Sequence, residues 1–153
     1  CRIMTSMALR DNLAQGESYF VVEVKSLKRI LEASREKTPL LCVIDEVLRG
    51  TNTTERIAAS ESVLAALRRA NVLCLAATHD TELTYLLEDL YTNYHFEEQI
   101  SFPYRLEQGP ARGKNAIALL GNMGIDEKIV KQAERRAAEF ETTGSWEKNK
   151  FLR

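Results

Sequence analysis

Hydrophobic and polar positions along the chain predict two buried strands with a helix between them. Residues 40–45 and 72–77 are short, almost continuously apolar runs, and each follows a polar or turn-forming stretch. Apolar runs of about six residues are typical of strands that are covered on both faces. Between the two runs, core-facing positions recur at helical spacing, namely Ile57, Ser60, Val63, Leu64 and Leu67. Strand, helix and strand in this order predict a βαβ crossover with parallel strands.

The stretch from Asn52 to Glu55 predicts the start of that helix. A side-chain acceptor three residues before an acid is the pattern of a helix N-cap. Arg68 and Arg69 lie at the other end, where cations interact favourably with the helix dipole.

The segment before the first strand is predicted to form a helix over Ser18–Ala33, entered through residues 16–18. Its apolar positions fall one helical turn apart, at Phe20, Val24, Leu27 and Leu31. The β-rich run at 19–24 leaves a strand start as the alternative.

Weaker patterns follow the second strand. A short helix is predicted over Thr81–Asp89, and a pair of edge strands over Tyr91–Glu97 and Gln99–Leu106.

The pattern changes after Gly109-Pro110, where two helices are predicted, Asn115–Gly121 and Asp126–Phe140, with Asp126 as the cap of the second. An apolar stripe on the second helix serves either packing within the domain or a partner; it comprises Ile129, Val130, Ala133, Ala137 and Phe140. The residues from Thr142 onward are polar and are expected to fray. We therefore divide the chain into 1–108 and a C-terminal helical segment, 109–153.

Composition bounds the class of protein. The chain has 153 residues, 44% of them hydrophobic and 28% charged, with 21 basic and 22 acidic side chains and a net charge of −1. These values suit one globular domain and give no whole-chain argument for binding nucleic acid or a membrane. No apolar run approaches the roughly 18 residues that span a bilayer, so a cytoplasmic location is expected.

The three cysteines, Cys1, Cys42 and Cys74, do not have zinc-ligand spacing. Cys42 and Cys74 lie inside the apolar runs, where a thiol is usually a small buried hydrophobe. The chain begins with Cys rather than Met, and we expect it to be a piece of a longer protein.

Polar side chains capable of chemistry follow both predicted strands. Asp45 and Glu46 end the first strand, and Thr78, His79 and Asp80 follow the second. A right-handed crossover places both carboxyl ends at one edge of the sheet, which is where open α/β sheets bind ligands. The sequence therefore predicts a site at this edge, although an acid pair at a strand end and a lone histidine each also have ordinary structural uses.

This group of residues suits phosphoryl chemistry. A carboxylate such as Asp45 can hold Mg²⁺ through its water shell, and Glu46 can orient or deprotonate an attacking water. His79 can hydrogen-bond a terminal phosphate. A serine hydrolase would need a G-x-S-x-G elbow, and a glycosidase would need two acids facing each other across a cleft; neither pattern is present.

The segments "LLCVIDEVLRGTNTTERIAAS" and "LCLAATHDTELTYL" resemble the ATPase domain of MutS proteins, relatives of the ABC ATPases. In that family a strand ending in D-E precedes a G-R-G-T-S-T loop, and a second strand ends in A-T-H with E-L-T soon after. The upstream "SMALRDNLAQGESYFVVEVKSLKRIL" looks like the segment leading into the family's signature helix. The resemblance runs from about Ser6 to Ala137 and implies part of a P-loop, ABC-type α/β sheet with flanking helices.

The resemblance implies a role for each matching residue. Asp45 would be the Walker B acid that organises Mg²⁺, with Thr78 beside the nucleotide, and Glu46 would activate the hydrolytic water. His79 would be the switch histidine near the γ-phosphate. Ser18, at a helix start, would be the signature serine that reaches ATP held by the other subunit. A loop would cross to that partner, formed by Arg49, Gly50, Thr51, Asn52 and Thr53.

No phosphate-binding P-loop is visible, although such sites need the pattern G-x-x-x-x-G-K-[ST]. Residues 109–115 imitate it but are one residue too short and carry a proline. The family places its P-loop upstream of the segment that begins this chain. The resemblance thus implies half of a composite ATP and Mg²⁺ site in a homodimer, DNA contacts in other parts of the parent, and no activity in this chain alone.

Departures from the family pattern leave a second function open. Leu48 replaces the first glycine of G-R-G, Asn52 replaces the serine, and Glu55-Arg56 replace Asp-Gly. The variants "SMALRDNL" and "GESYF" look more like the divergent MutS-related proteins. Leu48 and Glu55-Arg56 allow a non-catalytic dimerisation module as the alternative. A transporter ATPase would carry a run like L-S-G-G-Q, which "AQGESYF" does not supply.

Overall fold

The computed structural model describes residues 1–7, 19–97, 105–111 and 116–148. Helices and strands alternate through most of the chain, which confirms the predicted α/β class. The elements are β1 (Arg2–Ser6), α1 (Tyr19–Ser34), β2 (Leu40–Asp45), α2 (Thr53–Leu67), β3 (Val72–Ala77), α3 (Thr81–Leu86), β4 (Tyr94–Glu97), β5 (Arg105–Gln108), α4 (Ala116–Asn122) and α5 (Glu127–Thr143).

Strands β1, β2 and β3 form a parallel sheet in that order. Leu40 pairs with Val72 and Asp45 with Ala77, so β2 and β3 run in register over their whole length. Helix α2 connects them, which confirms the predicted βαβ crossover and both of its strand boundaries. The side chain of Asn52 accepts a hydrogen bond from the Glu55 N–H at 3.0 Å, which confirms the predicted cap of α2.

Strand β1 was not predicted from the hydrophobic pattern. Its sequence, RIMTS, mixes polar and apolar side chains and has no continuous apolar run. It is a strand because its backbone pairs with β2, from Arg2 opposite Leu40 to Ser6 opposite Ile44. Such pairing is a non-local interaction, and the sequence of a short, partly polar strand does not predict it.

The hydrophobic core lies between one face of this sheet and the helices. Its most deeply buried members are Ile30, Cys42, Ile44 and Leu67, each at most 1% exposed. Helices α1, α2 and α3 all contribute to the same cluster, so one core holds the three-stranded sheet and its helices together.

The predicted core face of α1 is wrong in its first turns. Leu27 is buried, but Phe20 and Val24 are 37% and 42% exposed. The buried face instead passes through Leu27 and Ile30, because the helix packs on the sheet only along its C-terminal part. The alternative that residues 19–24 form a strand is also wrong, since α1 begins at Tyr19.

The other face of the sheet is not covered by the described residues, which corrects the prediction that β3 is buried on both sides. Leu73 and Leu75 of β3 are 63% and 55% exposed, and Ile3 of β1 is 67% exposed. The register aligns Ile3 with Leu41 and Leu41 with Leu73, so these side chains share one face. The apolar run at 72–77 therefore predicted the strand β3 correctly, but the burial of both of its faces incorrectly.

The segments after β3 differ from the predicted boundaries. Helix α3 ends at Leu86 rather than Asp89, where Leu87 caps it. Strands β4 and β5 pair in a separate two-stranded sheet. Residues 99–104 of the predicted second edge strand, Gln99–Leu106, lie outside the described residues. Gly109 has a φ of 110° and donates its N–H to the Asn93 carbonyl at 2.8 Å, a bond that joins the start of β4 to the end of β5. Within residues 109–115, the stretch that partly resembles a P-loop, residues 112–115 lie outside the described residues.

The described residues fall into two compact units. One comprises residues 1–7, 19–95 and 106–111, and the other comprises 96–97, 105 and 116–148. Among the described helices, none has the length and apolar character that crossing a membrane requires.

The second unit contains the helices α4 and α5, which pack against each other. Asp126 caps α5 by accepting a hydrogen bond from the Lys128 N–H at 2.8 Å, as predicted. Val130 is the buried member of the predicted stripe, whereas Ile129 is 57% exposed. The stripe is therefore narrower than the sequence pattern indicates.

The second C-terminal helix was predicted to end at Phe140, and the structure extends it, while the fraying predicted from Thr142 onward stays a prediction. Helix α5 continues to Thr143 and ends at Gly144, whose left-handed conformation closes the last turn. Trp146 then stacks on Phe140, with 4.4 Å between ring centroids, and Arg136 lies over the indole. This aromatic contact joins the last turns of α5 to the segment that follows it.

Candidate functional site

The carboxyl ends of β2 and β3 meet at one edge of the sheet, as the crossover predicts. Asp45 lies opposite Ala77, and the N–H of Glu46 donates to the Ala77 carbonyl at 2.9 Å. The ladder thus continues one residue past β2. Consequently Asp45 and Glu46 lie beside Thr78 and His79 on the neighbouring chain segment.

Glu46 and His79 are in contact. The Nε2 atom of His79 lies 3.1 Å from Oε1 of Glu46, and the other oxygen of Glu46 forms an ion pair with Arg49. The Glu46 side chain is 18% exposed, whereas that of His79 is 94% exposed. The structure therefore brings together the two residues predicted to act in catalysis, and it adds Arg49 to them.

The turn that carries Glu46 has an unusual backbone. Glu46 and Leu48 have φ angles of 54° and 59°, the left-handed region that glycine adopts most easily. The N–H of Leu48 donates to the carboxylate of Glu23 on α1, and Ser60 donates its hydroxyl to the Val47 carbonyl at 3.3 Å. Contacts from two helices therefore hold a conformation that costs free energy by itself.

Leu48 occupies the position where the family pattern has a glycine, and the structure explains how leucine is tolerated. The φ of Leu48 lies in the left-handed region, which glycine adopts at lower cost than other residues. Its side chain is only 7% exposed and belongs to the core cluster. Burial of the side chain and the bond to Glu23 offset the backbone strain.

The candidate trans-subunit loop, residues 49–53, leads from this turn into α2. Gly50 lies against Phe20 of α1, and a Cβ atom built at Gly50 would come within 3.2 Å of the Phe20 Cβ. Thr51 donates its hydroxyl to Glu55 at 2.9 Å, while Asn52 caps α2. The loop is thereby anchored through its three middle residues.

An ion pair that the sequence did not predict joins Arg56 to Asp80. The guanidinium donates through Nε to Oδ2 at 2.7 Å and through Nη2 to Oδ1 at 2.5 Å. Asp80 is the first cause of a raised pKa at Arg56, and the carboxylates of Glu46 and Glu82 add to it. The two residues are 24 positions apart in the sequence, so no local pattern predicts that their side chains meet.

These side chains line an open depression of about 300 Å³ at the edge of the sheet. It is bordered by Glu46, Val47, Arg49, Arg56, Thr78, His79 and Asp80. Two arginines, two acids and a histidine thus face one space, which suits a polar ligand rather than an apolar one.

Asp45, the predicted magnesium ligand, lies at the carboxyl end of β2. Among the described residues, no hydrogen bond or ion pair engages its carboxylate. Those residues also contain no cluster of three or more His, Cys, Asp or Glu side chains suited to a metal. A single free carboxylate fits Mg²⁺, which proteins usually hold with one or two acids together with phosphate oxygens and water.

Two other predicted site residues have different outcomes. Thr78 accepts a hydrogen bond from the Asp80 N–H at 3.0 Å, so its hydroxyl oxygen shapes the turn after β3. Ser18 lies outside the described residues, and its signature role stays a prediction.

The two strand cysteines are neighbours across β2 and β3, where Cys42 pairs with Cys74. Cys42 is fully buried, as predicted, and Cys74 is partly buried. Hydrogen bonding to Cys74 and burial raise the pKa of Cys42. Both side chains lie on the covered face of the sheet, where Cys42 belongs to the core and Cys74 packs against it. This position agrees with a packing role for the two thiols.

Comparison with known proteins agrees with this geometry. The family model described as MutS domain V matches residues 1–141. A curated protein of Haloarcula marismortui, named DNA mismatch repair protein MutS 2, is 31% identical over 149 residues, which is 92% of this chain. The matched part is 16% of that relative's length, so the similarity covers nearly all of this chain and a small part of the relative.

Proposed function

Because this chain belongs to the MutS family and matches its domain V, we propose that its parent protein hydrolyses ATP in association with DNA. The observation that carries the proposal is the contact between Glu46 and His79, 3.1 Å apart, beside Asp45 at the ends of two parallel strands. Parallel α/β sheets bind ligands at this edge. The name of the relative associates it with DNA mismatch repair, and an action on DNA is proposed here by that similarity.

Each residue at this edge has a proposed task in hydrolysis. Glu46 accepts a proton from, or orients, the attacking water, because its largely shielded carboxylate contacts His79 at the end of β2. His79, almost fully exposed, hydrogen-bonds the terminal phosphate of a bound nucleotide. Arg49 holds Glu46 in place when nucleotide is absent, and its guanidinium is free to turn toward a phosphate once the ion pair opens.

Asp45 is the proposed ligand of Mg²⁺, through water or directly. When bound, the ion would neutralise charge on the phosphate oxygens. Asp45 suits this task because its carboxylate has no partner among the described residues.

The proposed active site is shared between two subunits. This chain supplies the carboxylates and the histidine, and residues 49–53 together with Ser18 are proposed to reach a nucleotide held by the partner. The anchored loop supports this idea, because its contacts with α1 and α2 lie at residues 50–52 and leave Arg49 and Thr53 exposed. A composite site of this kind requires a symmetric dimer.

Mixing two inactive variants of the parent tests the shared site. Ser18→Arg should block the site on the partner, and Glu46→Gln should block the site of its own subunit. In a mixed dimer one site carries both defects and the other carries none, so turnover should return to about a quarter of the wild-type rate by random pairing. The measurement is steady-state ATP hydrolysis before and after subunit exchange, and each variant alone serves as the control.

Recovery would not occur if each site were complete within one subunit. A dimer that forms normally but stays inactive after mixing would contradict the composite arrangement. A wild-type parent that does not hydrolyse ATP would favour the non-catalytic module. That alternative is supported by the ion pair between Glu46 and Arg49, which occupies the proposed base.

Helices α4 and α5 are the proposed dimer contact. Several apolar side chains on and between these helices are exposed, namely Leu119, Leu120, Met123, Ile125 and Ile129. Met123 is 76% exposed, an unusual fraction for a large apolar residue unless another surface covers it. We therefore expect two copies of this hairpin to bury these side chains together.

Replacing Met123 and Ile129 by glutamate should weaken dimerisation at least tenfold, because charges would enter an apolar contact. Sedimentation of the parent over a range of concentrations measures the change. Lys128→Glu is the matched control, since it also adds negative charge at an exposed position of α5. An unchanged dissociation constant for the double variant would show that the subunits meet elsewhere.

A further inference from the structure

The pair formed by Arg56 and Asp80 connects two segments that each carry a proposed site residue. Two hydrogen bonds, 2.7 and 2.5 Å long, join the guanidinium to the carboxylate. The side chains are only 24% and 14% exposed. Fork-shaped pairing of this kind fixes the relative direction of both groups as well as their distance.

One end of the pair is attached to the loop after β2. Arg56 lies in the first turn of α2, and its N–H donates to the Asn52 carbonyl at 2.9 Å. Asn52 caps the same turn, and the loop from Arg49 leads directly into it. The guanidinium therefore projects from a well-anchored helix start.

The other end is attached to the segment that carries the histidine. Asp80 follows His79 directly, and its N–H donates to the Thr78 hydroxyl at 3.0 Å. The Asp80 carbonyl accepts from the Leu83 N–H, where α3 begins. These two bonds are made by the backbone of Asp80, whereas its carboxylate pairs with Arg56. Asp80 therefore joins the turn after β3 to the start of α2.

His79 itself has little to hold it. Its side chain is 94% exposed, and Glu46 is its hydrogen-bond or ion-pair partner among the described residues. The direction of the imidazole therefore depends on the backbone of residues 78–80. That backbone is tied down by the neighbouring carboxylate and not by packing of the ring.

We propose that Arg56 and Asp80 are positioning residues of the hydrolytic site, which hold His79 against Glu46 by fixing the turn after β3 to the start of α2. This inference rests on the proposed ATPase function. It also gives a purpose to Arg56, which stands where the family pattern has a glycine. The replacement of that glycine by Arg56 would then stabilise the site by a different contact, and it would not indicate that the site has lost its activity.

Steady-state ATP turnover by the parent tests the proposal. Asp80→Asn removes the charge with little change of shape, and should lower kcat about 10- to 100-fold while the KM for ATP changes less than about threefold, because misplacement affects the reaction geometry. Arg56→Lys keeps the charge but loses the fork, and should lower kcat by a smaller factor. Glu36→Gln is the control, since Arg2 and Glu36 form an exposed ion pair at the opposite edge of the sheet.

A double-mutant cycle separates positioning from general stability. In a His79→Ala background, Asp80→Asn should lower kcat by less than about twofold, because the residue it acts through is gone. An equal loss in both backgrounds would overturn the proposal, as would a kcat for Asp80→Asn that matches the control. If Asp80→Asn does not fold, Arg56→Lys is carried through the same cycle, and an equal loss of kcat with and without His79 has the same meaning.

The result also distinguishes this inference from the function on which it rests. A parent that hydrolyses ATP, loses that activity with Glu46→Gln and yet tolerates Asp80→Asn would overturn the positioning role alone. A parent whose turnover does not depend on Glu46 would overturn the proposed function and the positioning role with it.

Discussion

Replacement of Glu46 by glutamine is expected to reduce ATP turnover by the parent about 100- to 10,000-fold, the range that a positioned general base contributes. Glutamine has nearly the same shape but cannot accept the proton. The Glu46 carboxylate also contacts His79 at 3.1 Å and pairs with Arg49, so one substitution removes three electrostatic features. A 100-fold loss corresponds to about 2.7 kcal/mol of transition-state stabilisation.

Nucleotide binding should survive this change. Glu46 is proposed to act on the water and not on the nucleotide, so the dissociation constant for ATP should change little while turnover falls. The measurements are single-turnover hydrolysis and equilibrium binding of a fluorescent ATP analogue. Glu88→Gln, at an exposed position after α3, is the matched control. Turnover that persists in Glu46→Gln would show that the hydrolytic base is elsewhere.

Replacement of Leu67 by alanine is expected to lower the free energy of unfolding by about 2–5 kcal/mol. Leu67 is 1% exposed and lies in the core between the sheet and the helices. The loss combines the transfer of removed methyl groups with the cavity that remains. Since domains are stable by only about 5–15 kcal/mol, the variant should be close to its unfolding limit.

Leu73→Ala is the matched control, because it makes the same chemical change on the face of β3 that the described residues leave open. Leu73 is 63% exposed, so its substitution should cost well under half as much as Leu67→Ala. Urea denaturation of the 153-residue chain, followed by circular dichroism, measures both. Equal costs would mean that the open face of the sheet is covered in solution.

Much of the architecture was predictable from local patterns. Strands β2 and β3 were predicted with their observed bounds, because unbroken apolar runs with turn residues around them have few alternatives. The caps at Asn52 and Asp126 were also predicted, since a capping side chain acts on its own helix. Boundaries were poorer for α3, β4 and β5, whose short sequences carry weak periodicity.

The candidate site was predictable in its members but not in its contacts. Strand handedness was enough to place Glu46 and His79 at one edge. The ion pairs of Glu46 with Arg49 and of Arg56 with Asp80 were not predicted. Such pairs depend on side-chain directions at the ends of separate elements, and periodicity contains no information on those directions.

The sequence by itself determined the α/β class, the crossover and the arrival of two carboxylates and a histidine at one sheet edge. These features follow from hydrophobic spacing and chain handedness, which act over short stretches. Only the tertiary structure decided that β1 joins the sheet, that Leu48 adopts a left-handed backbone and that Arg56 bonds Asp80. Each of these depends on partners distant in sequence, because backbone pairing, burial and charge complementarity are satisfied only when the separate elements meet.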